Sequence, residues 1–206
     1  MKRESVCRIF SNIPTITTDR LILRKISIDD VEDMFRYSSS PDVTKYLTWS
    51  PHPDMTYTLE YVNYLQSRYR SGDFYDWAVV LKDTGKMIGT CGFTRFDYAN
   101  NSAEIGYVLN ASFHSRGIAT EAVRKVLEFG FDKLCLNRIE GKFMVENAAS
   151  RRVMEKCFMV FEGVRREGML IKGRYRNVGV CSILKREYEG IKDRLQKNNV
   201  FRNKES

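Results

Sequence analysis

Residues 103–134 read AEIGYVLNASFHSRGIATEAVRKVLEFGFDKL. Ala103–Leu109 is an apolar, β-favouring run, and Asn110–Arg116 is a turn-rich break. Gly117-Ile118-Ala119-Thr120 then opens a helical pattern, with Val123, Val126, Leu127, Phe131 and Leu134 recurring at helical spacing. Strand, loop and helix in this order form a cup for an anion. The N–H groups of a tight loop and of a first helical turn have no partner within the helix, and they point the same way. Gly117 lets a ligand come close to the backbone, and Ala119 is nearly as small. The backbone from Ser115 to Thr120 is therefore expected to hold phosphate, with Arg116 adding charge.

A second stretch stands downstream, Val145-Glu146-Asn147-Ala148-Ala149-Ser150-Arg151-Arg152-Val153-Met154-Glu155-Lys156. It reads as a strand end, an Asn that can cap a helix, and the helix itself, Ala148–Cys157. Between and around these two stretches the chain punctuates clearly. Asp19–Arg24 alternates as a first strand, and Asp29-Asp30 offers caps for a helix over Val31–Tyr37. Ser38–Asp54 is a polar break, and Tyr57–Arg70 is helical with Leu59, Val62 and Leu65 on its apolar face. Asp76–Leu81 is nearly continuous in apolar residues and reads as a central strand. Asp83-Thr84-Gly85-Lys86 is a hairpin turn, and Met87–Phe96 returns. Arg138–Val145, Phe161–Arg166 and Tyr175–Leu184 complete the strands, and Glu187–Lys197 reads as a charged terminal helix whose last residues fray. Strands first meander and then alternate with helices, which is a mixed α/β sheet covered on both faces.

The loop His114-Ser115-Arg116-Gly117-Ile118-Ala119, followed by Thr120-Glu121-Ala122, resembles motif A of the GNAT superfamily of N-acetyltransferases, in particular its RimJ/RimL-type members. That loop is written Q/R-x-x-G-x-G/A, and His114 stands here where Gln or Arg is usual. The 145–156 stretch resembles the family's motif B, ENxxSxRVMEK, and Arg20-Leu21-Ile22-Leu23-Arg24 its opening strand. The resemblance spans roughly residues 18–188, leaving 1–17 as an extension and 189–206 as a charged tail. It implies the family's acyl-CoA fold, a mostly antiparallel central sheet in which two adjacent strands splay apart and acetyl-CoA enters the gap. It also implies that Val108 and Leu109 offer N–H groups to the thioester carbonyl and that His114 to Thr120 face the pyrophosphate. Asn147 either caps its helix or bonds the pantetheine arm. Phe158 takes the place where the family has Gly, so the end of this helix is expected to be built differently.

Acyl transfer from a thioester to an amine requires a group that takes the amine's proton, donors for the oxyanion, and a route for a proton to the leaving thiolate. Glu104, in Ala103-Glu104-Ile105-Gly106, is the candidate base, matching family members with a Glu in this strand. Apolar neighbours are expected to raise its affinity for a proton. The other readings are a solvent-facing residue or a partner of Arg95. Ser150 is the candidate acid for the thiolate. The Tyr that many members place four residues later is Met154 here, which has no proton to give. Ser150 otherwise back-bonds to its own helix. Trp49, Tyr46 and Tyr57, in the segment that walls the acceptor site of related enzymes, either touch substrate or pack the loop.

Composition narrows the remaining classes. The chain has 206 residues, 43% hydrophobic, with four prolines, enough for one sizeable core. No apolar run approaches bilayer length, and the first residues lack a signal-peptide core. Five cysteines in no metal-type spacing point to reduced thiols in a cytoplasmic protein, and two histidines leave little for a metal. Net charge of +8 suits an anionic partner such as a phosphorylated cofactor, and no nucleic-acid-binding signature appears. The activity that the resemblance implies is acetyl-CoA-dependent transfer to a primary amine without an acetyl-enzyme, in a monomer or homodimer. The acceptor expected first is a protein N-terminal α-amine. The alternatives are a small amine (aminoglycoside, polyamine or amino acid) or a coenzyme A-binding protein without catalysis.

Overall fold

The computed structural model describes residues 1–202, and the side chains of residues 1–194. Its strands are β1 (Ile16–Thr17), β2 (Leu21–Arg24), β3 (Tyr75–Leu81), β4 (Met87–Asp97), β5 (Ser102–Leu109), β6 (Arg138–Met144), β7 (Val160–Ile171) and β8 (Arg174–Leu184). Its helices are α1 (Arg3–Ser11), α2 (Val31–Ser38), α3 (Pro41–Thr44), α4 (Met55–Ser71), α5 (Ile118–Asp132), α6 (Ala148–Lys156) and α7 (Lys185–Arg202). One sheet holds all eight strands in the order β1-β2-β3-β4-β5-β6-β8-β7. The β5–β6 pair is parallel and the others are antiparallel. A parallel pair needs a long crossover, and α5 supplies it.

Alternation along the strands sends one set of side chains to each face. Trp77 and Phe93 meet Phe10 of α1 and Phe129 of α5 on one face, with ring centroids 5.2–6.5 Å apart. Asp76, Thr90 and Val108 point to the other face, which α2 and α4 cover. The first 17 residues, read from the sequence only as an extension, contain α1, whose Val6 and Phe10 are fully buried. A nine-residue helix with only two core residues carries little apolar signal in sequence, because its partners come from far along the chain.

Other differences are local. The cap ahead of α2 is Ser27, which forms a capping box with Asp30, and Asp30 itself is drawn into a bidentate pair with Arg24. In α4 the buried stripe runs through Thr58, Val62, Leu65 and Tyr69, leaving Leu59 exposed. The β7–β8 hairpin is longer than expected. It reverses through Lys172 and Gly173, both left-handed, and Lys172 Nζ donates to the Thr44 carbonyl of α3 at 2.7 Å. The terminal helix begins at Lys185, two residues early, and the expected fraying of the last residues falls on 203–206, outside the described residues.

The end of α6 corrects an expectation. Phe158, standing where Gly is usual, adopts the same left-handed stop, φ 64°, and Met159 N–H donates to the Met154 carbonyl at 3.1 Å. Its ring is 46% exposed and packs beneath the Arg124 guanidinium. A residue with a Cβ held there is strained by roughly 1–2 kcal/mol. Phe158→Gly is therefore expected to stabilise the fold by about 1 kcal/mol in chemical denaturation, the loss of the exposed ring contact offsetting part of the gain.

Candidate active site

The sheet opens where the two resembling stretches meet. β5 and β6 pair from Ser102↔Arg138 to Ile105↔Gly141 and no further, although β5 continues to Leu109 and β6 to Met144. Gly106–Leu109 therefore has a free edge on the β6 side, and this is the expected splay. Which N–H groups face it follows from the β4 side. Asn110 N–H donates to the Ile88 carbonyl at 2.8 Å, and a Cβ on Gly89 would lie 2.1 Å from the Val108 carbonyl oxygen. Peptide edges alternate along a strand. Val108 thus turns its N–H to β4, while Tyr107 and Leu109 turn theirs into the gap. Of the two donors expected, Leu109 is the one on the open edge, and Tyr107 joins it.

The loop after β5 has the backbone shape expected of an anion cup. Ser115 and Gly117 are both left-handed, φ 60° and 75°. Among the described residues, the N–H groups of Ser115, Arg116 and Gly117 find no backbone acceptor. The first turn of α5, through Ile118, Ala119 and Thr120, follows directly. His114 Nε2 donates to the Leu109 carbonyl at 3.0 Å, so this residue ties the loop to the strand end. Arg116 lies over the Phe113 ring, and its carbonyl accepts from Arg20. A surface cleft beside the helix end is lined by Arg20, Arg124, Lys125 and Lys156, with Asp19 and Glu121 as the acidic members. Free N–H groups ringed by four cations fit a pyrophosphate and a further phosphate. Sequence reading missed these four because they come from the residue before β2, from α5 and from the end of α6, and charge alone does not reveal convergence.

On the far side of the gap, Asn147 Oδ1 accepts from Ser150 N–H at 3.1 Å, which caps α6 and leaves the Asn147 amide NH₂ free to donate. Tyr107 Oη lies 2.9 Å from both the carbonyl and the hydroxyl of Ser150. Burial pushes the Tyr107 phenol well up. A phenol thus reaches Ser150 after all, from β5 rather than from position 154. Met154 is buried against Gly141.

Glu104 lies on the opposite face of β5. Its carboxylate is paired with Lys142 Nζ of β6, and that ammonium also lies 3.3 Å from Glu140. The pair is 15–19% exposed. Arg95 is the strand neighbour of Glu104 by register but does not hold its carboxylate. The environment is an ion pair, not the apolar wall expected, because β6 brings Lys142 from 38 residues away. At the start of β6, Arg138 and the Ser182 hydroxyl hold Glu162 down to about 2.

A cavity of about 470 Å³ opens between this face, α2, α4 and the 49–53 loop. Tyr37, Trp49, Tyr57, Tyr61 and Phe74 wall it, and Asp76 and Val108 come from the sheet. Trp49 and Tyr57 are therefore in the wall, whereas Tyr46 is not and lies under Lys45. His52 packs between Trp49, Tyr57 and Tyr61. Its Nδ1 lies 3.0 Å from the Ser38 hydroxyl and 2.9 Å from that of Thr58. Burial lowers its affinity for a proton, so the ring is neutral at pH 7.

Comparison with known proteins agrees with this geometry. Residues 20–160 match the family model described as the acetyltransferase (GNAT) domain. The chain is 38% identical over 176 residues to the uncharacterized N-acetyltransferase p20 of Bacillus licheniformis, covering 85% of this chain and 99% of that one. The crystal structure of a GNAT-family acetyltransferase from Bacillus anthracis superposes with a TM-score of 0.76 at 28% identity, over 84% of this chain and all of that one. RimL, a ribosomal L7/L12 α-N-protein acetyltransferase solved with coenzyme A, shares the fold with a TM-score of 0.70 at 21% identity, over 83% of this chain and 98% of that one. A parallel pair that parts beside a phosphate-ready loop, together with the domain match, makes this chain a GNAT-family N-acetyltransferase.

Proposed function

We propose that the protein transfers the acetyl group of acetyl-CoA to a primary amine by direct attack, the amine arriving through the cavity beneath α2 and α4. The observation that carries this reading is the position of Val108. Its side chain lines the cavity, and its strand is the edge of the gap. Donor and acceptor sites therefore share one strand.

The chain's residues divide the work as follows. The Ser115–Thr120 loop and the four cations beside it bind the phosphates, and Asn147 bonds the pantetheine amides. Leu109 N–H, with Tyr107 N–H, donates to the thioester oxygen as it gains charge. The nitrogen bonds to the carbonyl carbon, becomes cationic and sheds a proton. Glu104 takes that proton, directly or through one water. The C–S bond breaks, and the Ser150 hydroxyl, backed by Tyr107, gives the thiolate a proton. In sum, an ammonium and a thioester become an amide, a thiol and one released proton. Burial raises the Cys157 thiol to about 12 and pushes that of Cys91 well up, which disfavours either as a nucleophile and supports direct transfer.

Both a protein N-terminus and a small amine present a primary nitrogen to such a cavity. Thiol release from acetyl-CoA, followed with N-terminal peptides, small monoamines and polyamines, tests the proposal. Turnover dependent on an added amine is the expected result, and acetyl-CoA binding without amine-dependent release from any of them would refute it. Gly117→Val is expected to raise the KM for acetyl-CoA at least about tenfold. A branched side chain at φ 75° is strained and stands where the phosphate approaches.

A further inference from the structure

Resting on the acetyl-transfer reading above, the geometry points to Asp76 as the residue that receives the acceptor's nitrogen, and to a small monoamine with an apolar or aromatic body as the acceptor. Four observations carry this. Asp76 lines the aromatic cavity. Its Oδ1 is shielded from solvent and has no hydrogen-bond partner among the described residues. It is the only carboxylate among the residues lining the cavity, and none of them is Lys or Arg. Space for it is cleared by Gly92, where a Cβ would lie 2.7 Å from Oδ1. The carboxylate therefore leans over β4, one strand spacing, about 4.8 Å, from β5.

A shielded carboxyl oxygen without a partner is costly to keep, and no donor from the surrounding packing, among the described residues, reaches Oδ1. A bound nitrogen would supply the missing partner. The exchange is balanced: the ammonium gives one proton to the carboxylate, leaving a neutral amine and a carboxylic acid. In an apolar cavity the neutral pair is favoured over the ion pair. The amine is then ready to attack, and the second proton it sheds goes to Glu104. One carboxylate neutralises one positive charge, so a polycation would leave its other charges unpaired against aromatic walls. The walls, Tyr37, Trp49, Tyr57, Tyr61 and Phe74, suit an apolar or aromatic body, and the volume is that of a small-molecule site.

The cavity side chains around Asp76 are Tyr37 of α2, Tyr57 and Tyr61 of α4 and His52 of the 49–53 loop; Cys91 of β4 lies across the sheet, on the face of Trp77. Tyr69 of α4 donates to the backbone carbonyl of Asp76 at 2.6 Å. Burial raises Tyr37 and Cys91 and takes Tyr61 to about 12. Burial also lifts Asp76 to about 7, against a hydrogen bond from Thr90 that lowers it.

The experiment compares wild type, Asp76→Asn and Thr90→Val with three acceptors: 2-phenylethylamine, spermidine and a peptide beginning Ser-Ala. Wild type is expected to have its highest kcat/KM with 2-phenylethylamine, rising with pH through about 7 as Asp76 ionises. Asp76→Asn is expected to raise the KM for that amine at least about 30-fold and to abolish the rise, with the KM for acetyl-CoA unchanged. Thr90→Val keeps the side-chain shape, removes the donated hydrogen bond and moves the rise to higher pH. It decides the matter if Asp76→Asn does not fold. An unchanged amine KM and pH profile in both variants, or turnover confined to the peptide or to spermidine, would overturn the proposal while leaving acetyl transfer standing. Silence with all three amines would count against acetyl transfer itself.

Discussion

Glu104→Gln is expected to lower kcat about 10²-fold with the amine acceptor while leaving acetyl-CoA affinity, read by calorimetry, unchanged. The substitution keeps the shape of the side chain and removes its basicity, which for a proton acceptor in the transition state amounts to roughly 2–4 orders of magnitude at most. The lower end applies here, because a water can relay the proton. Lys142 complicates the reading, since it loses a partner and is left with Glu140 3.3 Å away. The pair is partly solvated, so its loss is expected to change stability by less than about 1 kcal/mol. A fall in kcat without a fall in melting temperature therefore reports chemistry. An unchanged kcat would remove Glu104 from proton transfer.

The second large effect is on stability against pH. Asp76 stands at about 7 in the folded chain against 3.8 in an unfolded one. The folded state therefore holds this proton more tightly. The group does not oppose folding below about pH 4, where both states are protonated. It increasingly opposes folding between there and about pH 7, by roughly 4 kcal/mol in all. Asp76→Asn removes the titration. Chemical denaturation from pH 5 to 8 is expected to show the variant gaining stability relative to wild type as pH rises. A constant difference across that range would show that Asp76 ionises normally. Occupation of the cavity by an amine is expected to shrink the difference by giving the carboxyl its partner.

How much of this was legible in the sequence depends on the range of the contacts involved. The strand–loop–helix unit at 103–134 is local. Its apolar period, its small residues and its turn chemistry all lie within one window, and the structure places β5, the loop after it and α5 where that window predicts them. The cap by Asn147 is local too, and it was found. Long-range pairings were not visible. Lys142 beside Glu104 and Tyr107 beside Ser150 join residues 38 and 43 positions apart, and no periodicity connects them. The parting of β5 from β6 came from the family resemblance, since a strand that loses its neighbour halfway looks like any other strand. Asp76 was passed over for a different reason. An acid at the head of an apolar run reads as the boundary of a strand, and only the cavity and the bare Gly92 beside it give the carboxyl another meaning. Phe158 shows the opposite error. The departure from Gly suggested a different helix end, yet the hydrogen bonds of the stop outweigh the strain of one left-handed residue.

Direct transfer is tested most plainly by initial rates of thiol release over a grid of acetyl-CoA and amine concentrations. Intersecting double-reciprocal lines, with no acetylated protein after incubation with acetyl-CoA alone, are the predicted result, because both substrates must occupy the gap and the cavity together. Parallel lines with an isolable acetyl-enzyme would contradict the account, since they would place a nucleophile of the chain between thioester and amine.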